Sequence, residues 1–168
     1  MKCKINRNQG FTLIEILVAV SIFAVVISVV LGLFTTGIQG QRKIIALQNV
    51  QDNANFLLGF MAKEIRMSKI NSVTSDTLNI TRPDGEVVSY FFDNDNGEIE
   101  RTDSISSGPI NSAEVLVTGS FYGDGIGSGD SQQPKITIAM KVKTVGGKVE
   151  QEAEINLQTT LSARDLEF

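Results

Sequence analysis

Histidine is absent from this sequence of 168 residues, and cysteine occurs once, at Cys3. Nucleophilic side chains in enzymes are commonly activated by a histidine, and zinc in proteins is usually bound by histidine and cysteine. The commonest nucleophile–base pairs and the usual zinc sites are therefore excluded. A single cysteine also allows no disulfide within the chain, so packing and hydrogen bonding must hold the fold.

Charge is missing from one long stretch near the N-terminus. Apart from Glu15, no charged residue lies between Phe11 and Gln41. As a helix, residues 11–34 extend about 36 Å, which is enough to cross the hydrocarbon core of a bilayer, about 30 Å thick. A secretory signal peptide has a shorter apolar segment followed by a small-residue cleavage site, and no such site follows Phe34. We therefore predict a membrane helix that the mature chain retains.

The segment before this run, residues 1–10, is polar and contains three basic residues and no acid. Such a segment is expected to stay in the cytoplasm. Cys3 precedes the apolar run, which is the wrong side for a lipoprotein cysteine. The whole chain has a formal net charge of −4, and without these residues it is more acidic still. An acidic chain has no general attraction to nucleic acid or to anionic lipid.

Glu15 is the one acid inside the uncharged stretch, and two interpretations stay open on the residues alone. A carboxylate near the end of a membrane helix is less costly than one at its centre, where it costs about 2.5–3.5 kcal/mol, and Glu15 can reach the interface. Alternatively, a cut between Gly10 and Phe11 would create an α-amine one helical turn away. That cation would compensate the acid, in the same chain or in a neighbour.

The segment Gly10-Phe11-Thr12-Leu13-Ile14-Glu15, followed by an apolar helix, resembles the class III signal of type IV prepilins and type II secretion pseudopilins. The glycine, the phenylalanine, the acid four residues later and the basic leader coincide, which makes the motif specific. The resemblance implies cleavage between Gly10 and Phe11 and N-methylation of Phe11 by a prepilin peptidase. It also implies packing of the helix into a filament core, where the family's acid, here Glu15, neutralises the amine of an adjacent subunit.

Helical periodicity resumes after a glycine-spaced segment at residues 35–40. Six apolar residues recur at steps of three and four and share one face: Leu47, Val50, Ala54, Leu57, Met61 and Ile65. Such a stripe fits membrane-surface binding or a coiled coil as well, but packing against a following domain is its commoner meaning. We therefore expect one long helix from about residue 11 to 70, apolar in its first part and amphipathic in its second.

From Asn71 the sequence changes to short alternating runs separated by turn residues, which predicts antiparallel strands. The predicted fold class is α+β, with the long helix packed on an antiparallel sheet, as in the pilin family. Four segments follow from this: a leader at 1–10, an apolar helix at 11–38, an amphipathic helix at 39–70 and a β head at 71–168.

The last predicted hairpin turns at Gly146-Gly147, since two glycines suit a two-residue turn. Its expected register pairs Val145 with Lys148, Lys143 with Glu150, Lys141 with Glu152, Met140 with Ala153 and Ile138 with Ile155. Apolar pairs then share one face and charged pairs the other, which is typical of a specified hairpin.

Two loops have the composition of a calcium site. The segment 93–98 resembles an EF-hand loop, but its glycine falls one position early and its twelfth residue is Ser104, so a solvated hairpin turn is favoured. The glycine-rich loop 123–130 offers only two strong oxygen ligands, Asp124 and Asp130, so a flexible loop is favoured and calcium binding stays open. We predict no metal and no cofactor.

The leading functional hypothesis is a minor pilin or pseudopilin without enzymatic activity. Segments similar to J-type pseudopilins and W-type minor pilins are 51–66, 90–101 and 161–164. Gly32, where major pilins commonly have a proline, and the lack of a cysteine pair depart from major pilins. The implied partners are a prepilin peptidase/methyltransferase, other pilins or pseudopilins and an inner-membrane assembly platform. The implied location is the bacterial inner membrane, as a single-pass protein with its head outside the cytoplasm, and then an extracytoplasmic filament.

The alternative is a filament-borne binding module for DNA uptake or surface attachment. A DNA-binding head would show a basic stripe with exposed aromatic side chains. In this sequence the lysines of the last hairpin are predicted to pair with glutamates, and the aromatic residues lie in strands where core packing accounts for them. Nucleic acid is therefore not an expected partner.

Overall fold

The computed structural model describes residues 10–126, 133–146 and 152–163. In these residues one helix, α1 (Leu13–Met67), precedes eight strands. The strands are β1 (Lys69–Val73), β2 (Thr77–Thr81), β3 (Val87–Asp93), β4 (Glu98–Thr102), β5 (Ser107–Pro109), β6 (Val115–Asp124), β7 (Lys135–Thr144) and β8 (Glu154–Ser162). The α+β class is as predicted, and the chain divides into two compact units, Met1–Gln41 and Arg42–Phe168.

The first unit contains the start of α1, and every described side chain in it is exposed. By length and composition, α1 is able to cross a membrane, and its most apolar window contains no buried residue. Residues 13–41 extend about 43 Å as a helix. A continuous apolar surface of this size is not stable in water, so it requires a bilayer or other protein around it.

In the second unit, the rest of α1 packs its predicted stripe against the sheets. Val50, Ala54, Leu57, Met61 and Ile65 are at most 1% exposed, which confirms the prediction for these five. Leu47 was expected to join them, but it is 46% exposed. The buried part of the stripe therefore begins at Val50.

The strands form two antiparallel sheets where one was predicted. The larger sheet has the order β1-β2-β3-β4-β5, and the smaller has the order β6-β7-β8. The rings of Phe92 on β3 and Phe121 on β6 lie 4.6 Å apart and join the two sheets. A Cβ on Gly119 would lie 2.8 Å from the Phe92 ring and 2.6 Å from the carbonyl oxygen of Ala139, so glycine permits this contact.

The hairpin turn predicted at 93–98 is confirmed, and a second turn joins β2 to β3. Gly85, with φ of 86°, completes the turn between β2 and β3. Between β3 and β4, the carboxylate of Asp93 accepts hydrogen bonds from the backbone N–H groups of Asp95 (3.2 Å) and Asn96 (3.0 Å). Segment 93–98 is thus a hairpin turn in which this carboxylate is already occupied by backbone donors.

The predicted register of the last hairpin is wrong. Observed partners are Lys143 with Glu154, Val142 with Ile155, Met140 with Leu157 and Ile138 with Thr159. The N–H of Thr144 donates to the carbonyl of Ala153 at 3.0 Å. Gly147, Lys148 and Glu150, on which the predicted turn and two predicted pairs fall, lie outside the described residues. The partner strand is displaced by four residues, and an even displacement keeps every side chain on its predicted face. Accordingly Lys141 pairs with Glu154, at 2.9 Å, and not with Glu152.

The loop predicted at 123–130 also begins later than expected, because β6 continues to Asp124. Residues 127–130 lie outside the described residues. Within the described ranges, no group of three or more acidic, histidine or cysteine side chains is placed to hold a metal ion.

Candidate functional site

The segment that carries the sequence motif is exposed and partly outside the helix. Gly10 and Phe11 precede α1, and the side chain of Phe11 is 79% exposed. A peptide bond that is exposed and free of helical hydrogen bonds is accessible to a protease. The geometry at Gly10-Phe11 is therefore compatible with the predicted cleavage.

Thr12 caps the start of α1. Its Oγ1 accepts a hydrogen bond from the N–H of Glu15 at 3.3 Å, and its carbonyl accepts one from the N–H of Ile16 at 3.3 Å. Threonine followed three residues later by glutamate is the capping-box pattern, and it places the acid in the first turn, where the helix dipole favours negative charge. This role of Thr12 was missed from the sequence, although the Thr-x-x-Glu spacing is its signal.

Hydroxyl groups further along the first unit are satisfied inside the helix. Ser21 donates to the carbonyl of Leu17 and Ser28 to that of Ala24, both at 2.8 Å. Such bonds remove the need for water in an apolar environment. The carboxylate of Glu15 differs, because no donor among the described residues reaches it.

Comparison with known proteins identifies this segment. Residues 5–31 match the family model for the prokaryotic N-terminal methylation motif. No curated protein and no solved structure matches the chain. The motif supports a type IV pilin-like or pseudopilin subunit, a structural protein rather than an enzyme, and it implies processing by prepilin peptidase and assembly with other pilins. Together with the apolar helix, it supports membrane anchoring.

A second cluster, in the second unit, centres on the carboxylate of Glu64 on α1. Arg82, directly after β2, donates from Nε at 2.9 Å, and Arg101 on β4 donates from Nη2 at 2.9 Å and from Nε at 3.2 Å. The hydroxyl of Tyr90 on β3 donates to Oε2 of the same carboxylate, the oxygen that also accepts from Nε of Arg101. One side chain of the helix is thereby bonded to three positions on the larger sheet.

Further acids complete this Glu64 cluster. Arg82 forms a second ion pair with Glu86 at 2.7 Å, and Arg101 forms one with Asp103. The guanidinium of Arg101 also lies 5.8 Å from the ring centroid of Phe60, within range of a cation–π interaction. Both arginines are therefore bridged between acids, and neither is a free cation for an external ligand.

The ionisation states follow from these contacts. Burial tends to raise the pKa of Glu64, but hydrogen bonds from Arg101, Tyr90 and Arg82 outweigh it and lower that pKa. Burial and the bond to Glu64 raise the pKa of Tyr90. The hydrogen bond from Arg101 lowers the pKa of Asp103. At neutral pH, Glu64 is ionised and Tyr90 is protonated, so the cluster has no group suited to exchange protons.

The Glu64 cluster was not predicted, although Glu64, Tyr90 and Arg101 all lie in segments cited for their family resemblance. A signal existed in the strand pattern. Arg101 follows the buried Ile99 by two residues and so occupies the face of β4 that is turned to the core. A charged residue at such a position needs a buried partner of opposite charge.

Proposed function

We propose that this chain is a minor pilin or pseudopilin that assembles into, or initiates, a type IV pilus or type II secretion pseudopilus. The observation that carries the proposal is the methylation motif at residues 5–31 at the start of an exposed, uncharged helix. Such a helix needs an apolar environment, which the bilayer provides before assembly and neighbouring subunits provide in a filament.

The proposed processing begins with removal of residues 1–10 by a prepilin peptidase at the Gly10–Phe11 bond, followed by N-methylation of Phe11. The exposure of both residues ahead of α1 supports this step. The mature chain is then anchored in the bacterial inner membrane with its head outside the cytoplasm. An assembly platform in that membrane passes it to the filament.

The proposed assembly contact is an ion pair between Glu15 and the methylated amine of Phe11 on a neighbouring subunit. Its support is the carboxylate of Glu15, which no donor among the described residues reaches, in a stretch that contains no other charge. In an apolar core, an ion pair is stronger than in water, and an unpaired charge is strongly penalised. The pair would therefore select the position of each incoming subunit.

In this proposal, the head acts as a rigid body that moves together with the second part of α1. The carboxylate of Glu64 is occupied by three donors, so it is not available as a base or a metal ligand. Its contacts fix the second part of α1 to the larger sheet, which lets a force on the helix reach the whole head.

The processing step is tested by coexpressing the full chain with a prepilin peptidase and measuring the N-terminal mass. We expect a chain that begins with N-methylated Phe11 and lacks residues 1–10. Gly10→Leu changes the proposed cleavage position and should remain unprocessed, whereas Gly37→Leu should be processed. The two variants are matched, because an added Cβ meets nothing within 4 Å at either glycine. An intact Met1 in the parent chain, or a cut beyond Phe34, would contradict the proposal.

A further inference from the structure

Basic and apolar side chains are exposed together where the uncharged stretch ends. Arg42 and Lys43 are the first charged residues after Glu15. Ile44 and Ile45 follow them on α1 and are 58% and 56% exposed. Neither Arg42 nor Lys43 forms an ion pair within the described ranges of the chain.

The end of β7 extends this surface. Val145, which is 44% exposed, lines a groove of about 350 Å³ together with Arg42 and Ile45. The N–H of Val145 donates to the carbonyl of Glu114 at 3.0 Å, which fixes its position beside the helix. We call Arg42, Lys43, Ile44, Ile45 and Val145 the base patch.

Helix length indicates the depth at which the base patch meets a membrane. A bilayer with its headgroup layers is about 40–45 Å thick, which a helix crosses in about 27–30 residues. Counted from Leu13, this distance ends at about residues 40–42. Arg42 and Lys43 thus follow the span at the level of the lipid phosphates.

We propose that the base patch binds the surface of an anionic phospholipid bilayer before the subunit enters a filament. Arg42 and Lys43 contact lipid phosphates, while Ile44, Ile45 and Val145 lie against the headgroup layer beside them. The inference rests on the proposed function, because it requires residues 13–41 to span the bilayer. It adds that the head itself has a lipid-binding face.

Local charge supports this binding although the whole chain is acidic. Surface charges further apart than about 8–10 Å are screened at physiological salt. The acid in the groove is Glu114, whose carboxylate accepts a hydrogen bond from Asn49 at 3.4 Å. Glu154, the first residue of β8, pairs with Lys141. Among the described residues, the base patch therefore has two cations without an ion pair, Arg42 and Lys43, beside the one acid that lines the groove.

Binding of the base patch would hold the head against the membrane and would have to end when the subunit is extracted. Lipid composition would then affect the free energy of assembly without any change in contacts between subunits. A basic residue near an anionic surface favours the bound state about fivefold. Loss of both Arg42 and Lys43 would therefore lower the ratio of bound to released heads about twenty-five-fold.

The experiment uses the full chain, with Cys3→Ser, in vesicles of phosphatidylethanolamine and phosphatidylglycerol. A fluorophore is attached at position 145 through Val145→Cys, and lipids with a headgroup nitroxide quench it on contact. The reference site is position 105, through Ile105→Cys, because Ile105 is 90% exposed. Position 105 also lies far from the base patch. Its neighbour Ser104 bonds to Glu86, a member of the Glu64 cluster, and Glu64 lies about 28 Å from Ile45 along α1.

We expect strong quenching at position 145 and little at position 105. Arg42→Ser with Lys43→Ser should lower the ratio of quenched to unquenched label at position 145 about twenty-five-fold. The matched control, Lys63→Ser with Arg66→Ser, removes the same charge from exposed positions of the same helix and should leave that ratio unchanged. Replacing phosphatidylglycerol by phosphatidylcholine should act like the loss of Arg42 and Lys43.

Equal quenching at the two positions in inserted protein would overturn this inference and leave the proposed function intact. Equal effects of the two double variants would also overturn it. Shielding of position 145 that depends on protein density, and not on lipid, would assign the patch to a second subunit and overturn lipid binding. Failure of the parent chain to insert at all would overturn the membrane anchoring and this inference with it.

Discussion

Glu64 on α1 and Arg101 on β4 form the central ion pair of the head, with Oε1 of the glutamate 2.9 Å from Nη2 of the arginine. Their side chains are only 14% and 10% exposed. Breaking a buried pair is more costly than never burying it, because the remaining charge is left without a partner. This pair therefore fixes the position of the helix on the sheet more than it adds net stability.

Removing the charge of Glu64 should strongly destabilise the head. We expect Glu64→Gln to lower the free energy of unfolding by about 3 kcal/mol, because Arg82 and Arg101 lose their shared acid. Chemical denaturation of the chain in detergent measures this. The matched control is Asp52→Asn on the exposed side of α1, which should change stability by less than about 0.5 kcal/mol. Equal effects of the two variants would show that Glu64 does not hold the helix.

The same carboxylate makes stability depend on pH. Because the folded pKa of Glu64 lies below its ordinary value of 4.5, its contribution is complete above that pH and is lost as pH falls through the folded pKa. The lowered pKa of Asp103 acts in the same direction. Unfolding free energies measured from neutral to acid pH should therefore fall less steeply below pH 4.5 in Glu64→Gln than in the parent. Parallel curves would contradict the role assigned to this carboxylate.

The register of the last hairpin is testable by crosslinking. Ala139 lies opposite Gln158 on the outer face of the smaller sheet. Ala139→Cys with Gln158→Cys, in a Cys3→Ser background, should form a disulfide under mild oxidation, since directly opposed residues have suitable Cβ separations. The register expected from sequence would instead oppose Ala139 to Glu154, which is displaced by about 13 Å along the strand. If Ala139→Cys crosslinks with Glu154→Cys and not with Gln158→Cys, the register expected from sequence is correct and the observed one is wrong.

The hairpin shows which part of the fold the sequence predicts. Alternation of apolar and polar residues identifies the face of each side chain, but the pattern is unchanged by a shift of four residues. The buried helical stripe from Val50 to Ile65 was predictable because its periodicity is local. The Glu64 cluster was not, because Arg82 and Arg101 are 18 and 37 positions away from Glu64. Contacts at such separations depend on how the sheet is folded.

Gly119 is expected to be essential for the contact between the two sheets. Gly119→Ala would place a Cβ 2.8 Å from the Phe92 ring of the other sheet and 2.6 Å from the carbonyl oxygen of Ala139, which is backbone and has little freedom to move. We expect a loss of about 1–3 kcal/mol in unfolding free energy. Gly108→Ala on β5 is the control, because no atom lies within 4 Å of its added Cβ. A similar loss in both variants would mean that strand glycines matter for another reason than this contact.

The proposed role of Glu15 predicts how two substitutions differ. Glu15→Gln keeps the shape of the side chain and removes its charge, whereas Glu15→Leu also makes membrane insertion easier. If Glu15 pairs with the amine of a neighbouring Phe11, both variants leave that amine unpaired in an apolar core. We therefore expect both to insert, to be processed and to fold, but to enter filaments at least about tenfold less than the parent, which corresponds to only about 1.4 kcal/mol.

Quantitative mass spectrometry of purified filaments measures incorporation, and membrane fractions report insertion and processing. Asp95→Asn, an exposed acid in the turn between β3 and β4, controls for the general loss of a negative charge. The comparison of the two Glu15 variants is the decisive part. If hydrophobicity alone governed entry into the filament, leucine would assemble better than glutamine and at least as well as the parent glutamate. An ion pair predicts instead that leucine is no better than glutamine, because neither side chain neutralises the amine. Normal incorporation of both variants would leave Glu15 as an acid that only reaches the membrane interface.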